Sequence, residues 1–313
     1  MSKGMPVLAG IDIGTLTCRL LIAKATPAGQ LSELHAERRI LRLGEGVDHH
    51  RVLQPASMKR VIETLQEWRR VIERYHVDRS IAVATSAVRD ATNRDEFLAM
   101  VKREAGFDVE VITGEEEARR TLLGIRSGLS PEISDMLGLD IGGGSTEFIV
   151  DRRESAPAMY SIELGVVRLT ERLLKHDPPS AEELETAHTL IVDLTAAVRP
   201  KLGDVSRMTF VGTAGTVTTL AAMAQHLPTY EAARVHHYRL SVGTIRDLER
   251  QLASRSKAQR RDLPGLESGR EEVVVAGTLI LRTIMEVFGF QDCLVSDMGL
   301  REGVLIDLAQ RMT

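Results

Sequence analysis

Two short stretches set residues capable of chemistry in the same frame. Gly-Ile-Asp-Ile-Gly at 10–14 and Gly-Leu-Asp-Ile-Gly at 138–142 each end an apolar run on a carboxylate, Asp12 or Asp140, two residues ahead of a glycine. The second continues as Gly142-Gly143-Gly144-Ser145-Thr146-Glu147. Consecutive glycines behind a strand cost conformational entropy and pack nothing, so the backbone itself must be wanted bare. Glycines there permit positive φ and let N–H groups turn outward into a concave anion site, to which Ser145 and Thr146 add hydroxyl donors. Asp140, with Asp12 at the matching place, ends its strand where it can hold a divalent cation directly or through water. No Gly-Lys-Ser/Thr follows, and a strand rather than a helix comes next, which excludes a Walker loop. A glycine hairpin serving only as a tight turn is the competing reading. Two matched copies, each with an acid in the same place, weigh against it.

Other candidates stand on single features. Gly212-Thr213-Ala214-Gly215-Thr216 lies between a strand and a helix and supplies amides at a helix N-terminus. Arg89 follows a strand end, where open α/β sheets bind ligands; a surface salt bridge with Asp90 or Asp95 is its alternative. Glu115, Glu116 and Glu117 follow Thr113 at a predicted helix start, and by position alone they read as dipole and capping residues. Glu147 by position reads equally as a strand residue facing solvent. Arg301 and Glu302 read as caps of the last helix. The nine histidines show no metal-ligand spacing. The cations of 59–74 are interleaved with glutamates and describe a solvated face. Lys257 to Arg261 holds three cations and no acid, which reads as an exposed loop or as the border of a polyanion channel.

The elements that must position these residues repeat. Asp12 and Asp140 lie 128 positions apart, and each is followed by a second apolar run (Cys18–Ala25; Thr146–Val150) and a third strand ending in Leu-Gly (Ile40–Gly44; Ser161–Gly165). A long amphipathic helix comes next in each half, Pro55–His76 and Ser180–Lys201. Strands predicted at Ser80–Thr85 and Val109–Thr113 then alternate with helices near Asn93–Ala105 and from Glu115. The second half adds strands at Met208–Gly212 and Cys293–Ser296. Its helices are predicted from Thr216, over Val242–Ala253 and Glu271–Val287, and from Arg301. This order predicts an α/β fold of two duplicated domains, 1–125 and 126–313, facing each other across a cleft with Asp12 and Asp140 on opposite walls. The closing helix, about 300–313, is able to pack back on the first domain.

The 313 residues, 43% hydrophobic and 27% charged, suffice for two cores and exclude a disordered or fibrous chain. No apolar run approaches the roughly 20 residues of a membrane span, and 1–10 has no signal-peptide pattern, so a cytoplasmic protein is expected. Cys18 and Cys293 lack redox or metal spacing and are expected as buried thiols. The net charge of −4 excludes a global positive field for nucleic acid.

Taken together, the two Asp-Ile-Gly loops, TSAVRDA (85–91), TGEEEA (113–118), VGTAGT (211–216) and SDMGLREG (296–303) resemble the exopolyphosphatase / guanosine pentaphosphate phosphohydrolase family of the actin-like ATPase superfamily. The match runs in the family's order from residue 8 to about 307. The resemblance implies two ribonuclease-H-like domains and hydrolysis of a terminal phosphoanhydride of polyphosphate or guanosine pentaphosphate, aided by Mg2+ or another divalent cation. It implies Glu117 as catalytic base and a water- or metal-directed role for Glu147. Phosphate contacts are implied at Gly14, Thr15, Thr17, Arg19, Arg89, Gly142, Gly143, Gly144, Ser145, Thr146, Gly212, Thr213 and Gly215. Asp140 and Asp12 are the implied metal residues. Glu116 is left as a cap whose loss costs about 1 kcal/mol or less.

The first loop departs from the family's usual Asp-x-Gly-Ser-Asn-Ser-x-Arg by placing Leu16 at the Asn, so one amide contact is lost while Thr15, Thr17 and Arg19 keep theirs. Longer relatives carry a C-terminal helical domain that this sequence lacks, so short phosphate chains are expected to compete well with long ones. A homodimer is expected from the resemblance alone, with neither nucleic acid nor membrane as partner. An actin-like kinase or ATPase, with the two loops on ATP, is the alternative function, and a slow sensor of phosphate chains is a third. TGEEEA and GLREG favour the hydrolase.

Overall fold

The computed structural model describes residues 5–312, which form two compact units, 5–128 with 298–312, and Leu129–Asp297. The first contains β1 (Val7–Ile13), β2 (Thr17–Ala25), β3 (Leu31–Ile40), α1 (Val47–His50), α2 (Pro55–Arg74), β4 (Arg79–Ala84), α3 (Ser86–Asp90), α4 (Arg94–Ala105), β5 (Val109–Val111) and α5 (Gly114–Gly128). The second contains β6 (Met136–Ile141), β7 (Thr146–Asp151), β8 (Ala158–Ile162), α6 (Val166–Leu173), α7 (Ala181–Leu202), β9 (Thr209–Thr213), α8 (Ala214–Ala224), α9 (Ala232–Val235), β10 (Arg239–Ser241), α10 (Val242–Ala253), α11 (Lys257–Arg260), α12 (Val274–Phe288) and β11 (Asp292–Val295). The closing helix α13 (Leu300–Gln310) belongs to the first unit.

The sheets have orders β3-β2-β1-β4-β5 and β10-β11-β9-β6-β7-β8. In each, an antiparallel meander (β1-β2-β3; β6-β7-β8) is extended on its other side by parallel strands, β4 and β5 or β9 and β11. The third strand of the first half is not Ile40–Gly44 but β3, and Gly44 lies in the turn beyond it. Leu31–Ile40 is polar and only partly buried at the sheet edge, so it lacks the apolar alternation that marks an inner strand. In the second half the strand likewise ends at Ile162, before Gly165.

Alternation along β1 divides its side chains between two layers. Ala9, Ile11 and Ile13 pack with Trp68 of α2 and Phe97 of α4, while Leu8 joins Leu305 and Leu308 of α13. By the same period Asp12 points to the face that α13 covers. α13 reaches α5 backbone to backbone: a Cβ on Gly303 would meet the Arg120 carbonyl oxygen at 1.6 Å, and one on Gly124 the Gly299 carbonyl oxygen at 1.8 Å. In the second unit Phe148 of β7 meets Phe288 of α12 edge-on at 6.2 Å, so Glu147 beside it faces the other way. Cys18 and Cys293 are free and buried, and burial pushes both thiols up. Among the described residues no helix is long and apolar enough to cross a membrane.

Candidate active site

The hairpins β1-β2 and β6-β7 superimpose in register as well as in sequence. The Gly14 amide donates to the Thr17 carbonyl at 3.0 Å, and the Gly142 amide donates to that of Ser145, also at 3.0 Å. Asp12 stands opposite Arg19 in one ladder and Asp140 opposite Glu147 in the other. Residues directly opposite in an antiparallel pair share a face, with Cβ atoms about 5 Å apart.

The triple glycine does not serve the positive φ expected of it. Left-handed glycines lie elsewhere, at Gly46 and Gly106 for example, and Gly142 is not one of them. What the loop needs is contact on its rear side. The first amides of α6 donate into it: Val166 to the Gly142 carbonyl at 3.0 Å, and Val167 to that of Gly143 at 2.8 Å. Arg168 Nε donates to the Gly144 carbonyl at 2.9 Å. In a planar trans peptide the carbonyl and the next N–H point in opposite directions. Three consecutive amides, of Gly143, Gly144 and Ser145, are therefore turned away from α6 as an anion nest. Gly165 permits this approach, since a Cβ there would lie 2.3 Å from the Gly143 carbonyl oxygen.

The first hairpin is held more simply. The Leu41 and Arg42 amides donate to the Leu16 carbonyl at 2.9 Å, and the Gly44 amide donates to that of Thr15 at 2.8 Å. The amides of Leu16 and Thr17 follow from planarity as the outward pair. The Leu16 side chain is buried, as is Thr15, while Thr17 is partly exposed. Arg19 Nη1 lies 3.7 Å from Asp12 Oδ2.

Other predicted residues fall into two groups. Arg89 and Glu117 meet at 3.4 Å, and Arg89 also donates to the Ile112 carbonyl at 2.8 Å. The alternative partners of Arg89 are engaged elsewhere, Asp90 with Arg51 and Asp95 with Arg94. Glu147 is fully buried, not solvent-facing, and accepts from the Ser161 hydroxyl at 2.8 Å. Asp140 is 7% exposed and lies between Glu147 on β7 and Thr213 on β9. Thr146 departs from expectation because its hydroxyl is committed to the Leu164 carbonyl at 2.5 Å, so it offers no donor proton to a ligand.

The 212–216 stretch runs from the end of β9 into the N-terminus of α8, with Thr213 at the N-cap. Gly212 lies within β9 and makes room for Cys293 and Val217, with a Cβ meeting the Cys293 Sγ at 2.7 Å. Gly215 makes room for the guanidinium of the buried Arg270. Lys257 to Arg261 is no free basic border: Lys257 pairs with Glu272 at 2.7 Å, Arg260 is buried, and Arg261 lies 3.9 Å from Glu271.

Glu116 is more than a cap. Its amide donates to the Thr113 hydroxyl oxygen at 3.2 Å, while its carboxylate accepts from Arg119 and the fully buried Arg120, both at 2.7 Å. The Arg119 hydrogen bond holds the Glu116 carboxyl down at about 2, against burial that pushes it up. Both arginines also reach Asp307 of α13, which ties the start of α5 to the closing helix. Glu302 receives the Gly299 amide at 2.9 Å, the capping role read for it.

Among the described residues no three His, Cys, Asp or Glu side chains gather as a metal cage. Asp140 and Glu147 nonetheless bring two carboxylates to one face beside the nest. Magnesium is commonly held by one or two carboxylates together with substrate phosphates, so this oxygen donor set fits such an ion. Arg168 and Gly165 were missed in the sequence. The repeated Leu-Gly at 43–44 and 164–165 was their signal, being the places where each hairpin is gripped from behind.

A duplicated meander-plus-parallel sheet with a backbone anion nest beside carboxylates defines an actin-like phosphate-handling fold. The sequence matches the model of the Ppx/GppA phosphatase family over residues 21–312, and the chain belongs to that family. It is 36% identical to exopolyphosphatase 2 of Mycobacterium tuberculosis, over 96% of this chain and 98% of that protein. It is 29% identical to the guanosine-5'-triphosphate,3'-diphosphate pyrophosphatase of Aeromonas hydrophila, over 97% of this chain and 59% of that protein. The crystal structure of the Aquifex aeolicus family member superimposes with a TM-score of 0.83 at 35% identity, covering 98% of this chain and 99% of that one. An exopolyphosphatase from Cytophaga hutchinsonii gives 0.87 at 28% identity, covering 97% and 98%.

Proposed function

We propose that the protein is a metal-dependent hydrolase that releases the terminal phosphate of inorganic polyphosphate, of guanosine pentaphosphate, or of both. The observation that carries this reading is the hairpin at Asp140–Glu147, where three outward amides stand beside two carboxylates on neighbouring strands. The outward amides of Gly143–Ser145 and of Leu16 and Thr17, with the hydroxyls of Ser145, Thr15 and Thr17, hold phosphate oxygens, while the Gly14 and Gly142 amides close the two turns; Arg19 and Arg89 are the cationic partners. Asp140, and Asp12 at the matching place, are the carboxylates toward a divalent cation, for which magnesium is the proposed ion. An ion held by these carboxylates would supply neutralisation of phosphate charge. Glu147 orients water or ion ligands. Glu117 accepts the proton of the attacking water, and Arg89, 3.4 Å away, holds its carboxylate in place.

The ATP-using kinase reading is not favoured, since the relatives at 36% and 29% identity are named as phosphate-releasing enzymes. The family resemblance supports a cytoplasmic homodimer. The deciding measurement is phosphate release from long polyphosphate, short polyphosphate, guanosine pentaphosphate and ATP, side by side, with and without chelator. Release from polyphosphate or from guanosine pentaphosphate that stops in chelator and returns with magnesium is expected. Turnover confined to ATP, or unchanged in chelator, would overturn the proposal.

A further inference from the structure

The Gly144 carbonyl is held by a side chain, where its counterpart in the first hairpin is held by backbone. Leu16, at the matching position, accepts from the Leu41 and Arg42 amides. Gly144 accepts from Arg168 Nε at 2.9 Å. Both units thus hold the same carbonyl from behind, which makes that tether a requirement of the hairpin rather than an accident of one loop. In the second unit the α6 amides reach only as far as Gly143, with Arg168 N itself 3.3 Å from that carbonyl, so the third peptide needs a longer arm.

We propose that Arg168 is a positioning residue that fixes the Gly144–Ser145 peptide and thereby aims the Ser145 amide at bound phosphate. The proposal rests on the nest at Gly142–Ser145 being the phosphate site. Arg168 is 6% exposed, and a buried guanidinium is retained only where its charge and donors are met. One side of its fork meets the Gly144 carbonyl, and Nη1 reaches Glu163 Oε2 at 3.2 Å. A planar guanidinium can serve both directions in one fixed orientation, which a lysine ammonium on a flexible stem cannot. Glu163 is 66% exposed on its side chain and closes the arrangement from the solvent side.

The test compares wild type, Arg168→Ala, Arg168→Lys and Glu163→Gln by KM for polyphosphate, inhibition constant for orthophosphate, kcat and melting temperature. Arg168→Ala is expected to raise KM and the orthophosphate constant together by about 10- to 100-fold, the scale of a charge-assisted hydrogen bond, while kcat changes by less than that. Lysine should recover only part of the loss. Glu163→Gln, a surface change, should move the same two constants in the same direction by a few-fold. Guanidinium at millimolar concentration should lower the KM of Arg168→Ala, and neutral urea should not. Lost folding alone would lower the active fraction and so the apparent kcat, leaving KM in place. If Arg168→Ala does not fold, Arg168→Lys and Glu163→Gln carry the test. Unchanged KM and orthophosphate constants in the folded variants would overturn the role of Arg168. A wild type that neither hydrolyses polyphosphate nor is inhibited by orthophosphate would instead overturn the phosphate-site reading beneath it.

Discussion

The first hairpin opposes an acid with a base, and the second opposes an acid with an acid. Asp12 faces Arg19 and Asp140 faces Glu147, on strands paired in the same register and closed by the same turn hydrogen bond. A buried carboxylate opposite a guanidinium is close to neutral and adds a cationic edge toward an anion. Two carboxylates directly opposite repel unless a cation or proton lies between them. The two copies keep one backbone, and in the proposed function one side chain per copy weights the chemistry: the first hairpin mainly grips phosphate, with Asp12 the lesser contributor to the ion, and the second mainly handles ion and water.

If the first hairpin is a neutral grip, it has no carboxylate to spare for proton transfer, and that duty in the first unit falls to Glu117. Glu117→Gln is expected to lower kcat by about 10²- to 10⁴-fold, the usual scale for loss of a general base, with orthophosphate affinity level or tighter. Steady-state kinetics with product inhibition reads both. A silent Glu117→Gln would return the proton to a hairpin acid and break the division.

The ion dependence should then be unequal. Asp140→Asn leaves Glu147 alone and is expected to raise the magnesium needed for half-maximal rate by about 10- to 100-fold. Asp12→Asn removes an acid that Arg19 already faces at 3.7 Å, so its magnesium requirement should shift by only a few-fold. A magnesium titration of both variants decides. Equal shifts would mean that the two acids share the ion alike.

Much of this contrast was legible in the sequence, and some was not. The repeated Asp-Ile-Gly frame exposed the duplication because a hairpin fixes spacing as well as residue type. Glu116 and Glu117 are adjacent, yet helical geometry sends one to Arg119, Arg120 and α13 and the other to Arg89. β3 was misplaced because a polar edge strand carries no alternation. Arg168 was passed over because its partner is a carbonyl 24 residues away, and backbone acceptors leave no trace in side-chain patterns. Thr146 was read as a donor for the same reason, its acceptor being the Leu164 carbonyl.

The glycines behind the hairpins extend the comparison to packing. A Cβ at Gly165 would strike the Gly143–Gly144 peptide, whereas one at Gly44 would meet the Thr15 side-chain methyl at 2.2 Å and the Ala87 Cβ at 3.1 Å. Backbone cannot step aside as a methyl can. Gly165→Ala should cost about 1–3 kcal/mol, the range for overpacking, and raise KM about 10-fold. Gly44→Ala should do less of both. Denaturant melts and KM values for the pair check the order, and a reversed order would place the stricter anion site in the first hairpin.

The smallest effect concerns the helix that carries Glu117. Hydrogen bonding to Arg119 holds the Glu116 carboxyl at about 2, below its ordinary 4.5, so the folded state prefers the ionised form. A carboxyl depressed in the folded state contributes stability that is present above its unfolded value and is lost as pH falls through the folded one. The window here runs from about 4.5 down to about 2. Glu116 is 29% exposed, and solvent screening discounts the gain to about 1–2 kcal/mol. Glu116→Gln should therefore be less stable than wild type at pH 7 by about that amount, and the gap should shrink as pH falls from about 5 to 2. Denaturant midpoints across that range measure it. A gap that stays constant with pH would mean that Glu116 serves α5 through its backbone cap and packing alone. The grip of Arg119 and Arg120 on α13 would then have to come from Asp307 alone, 3.4 Å from Arg120.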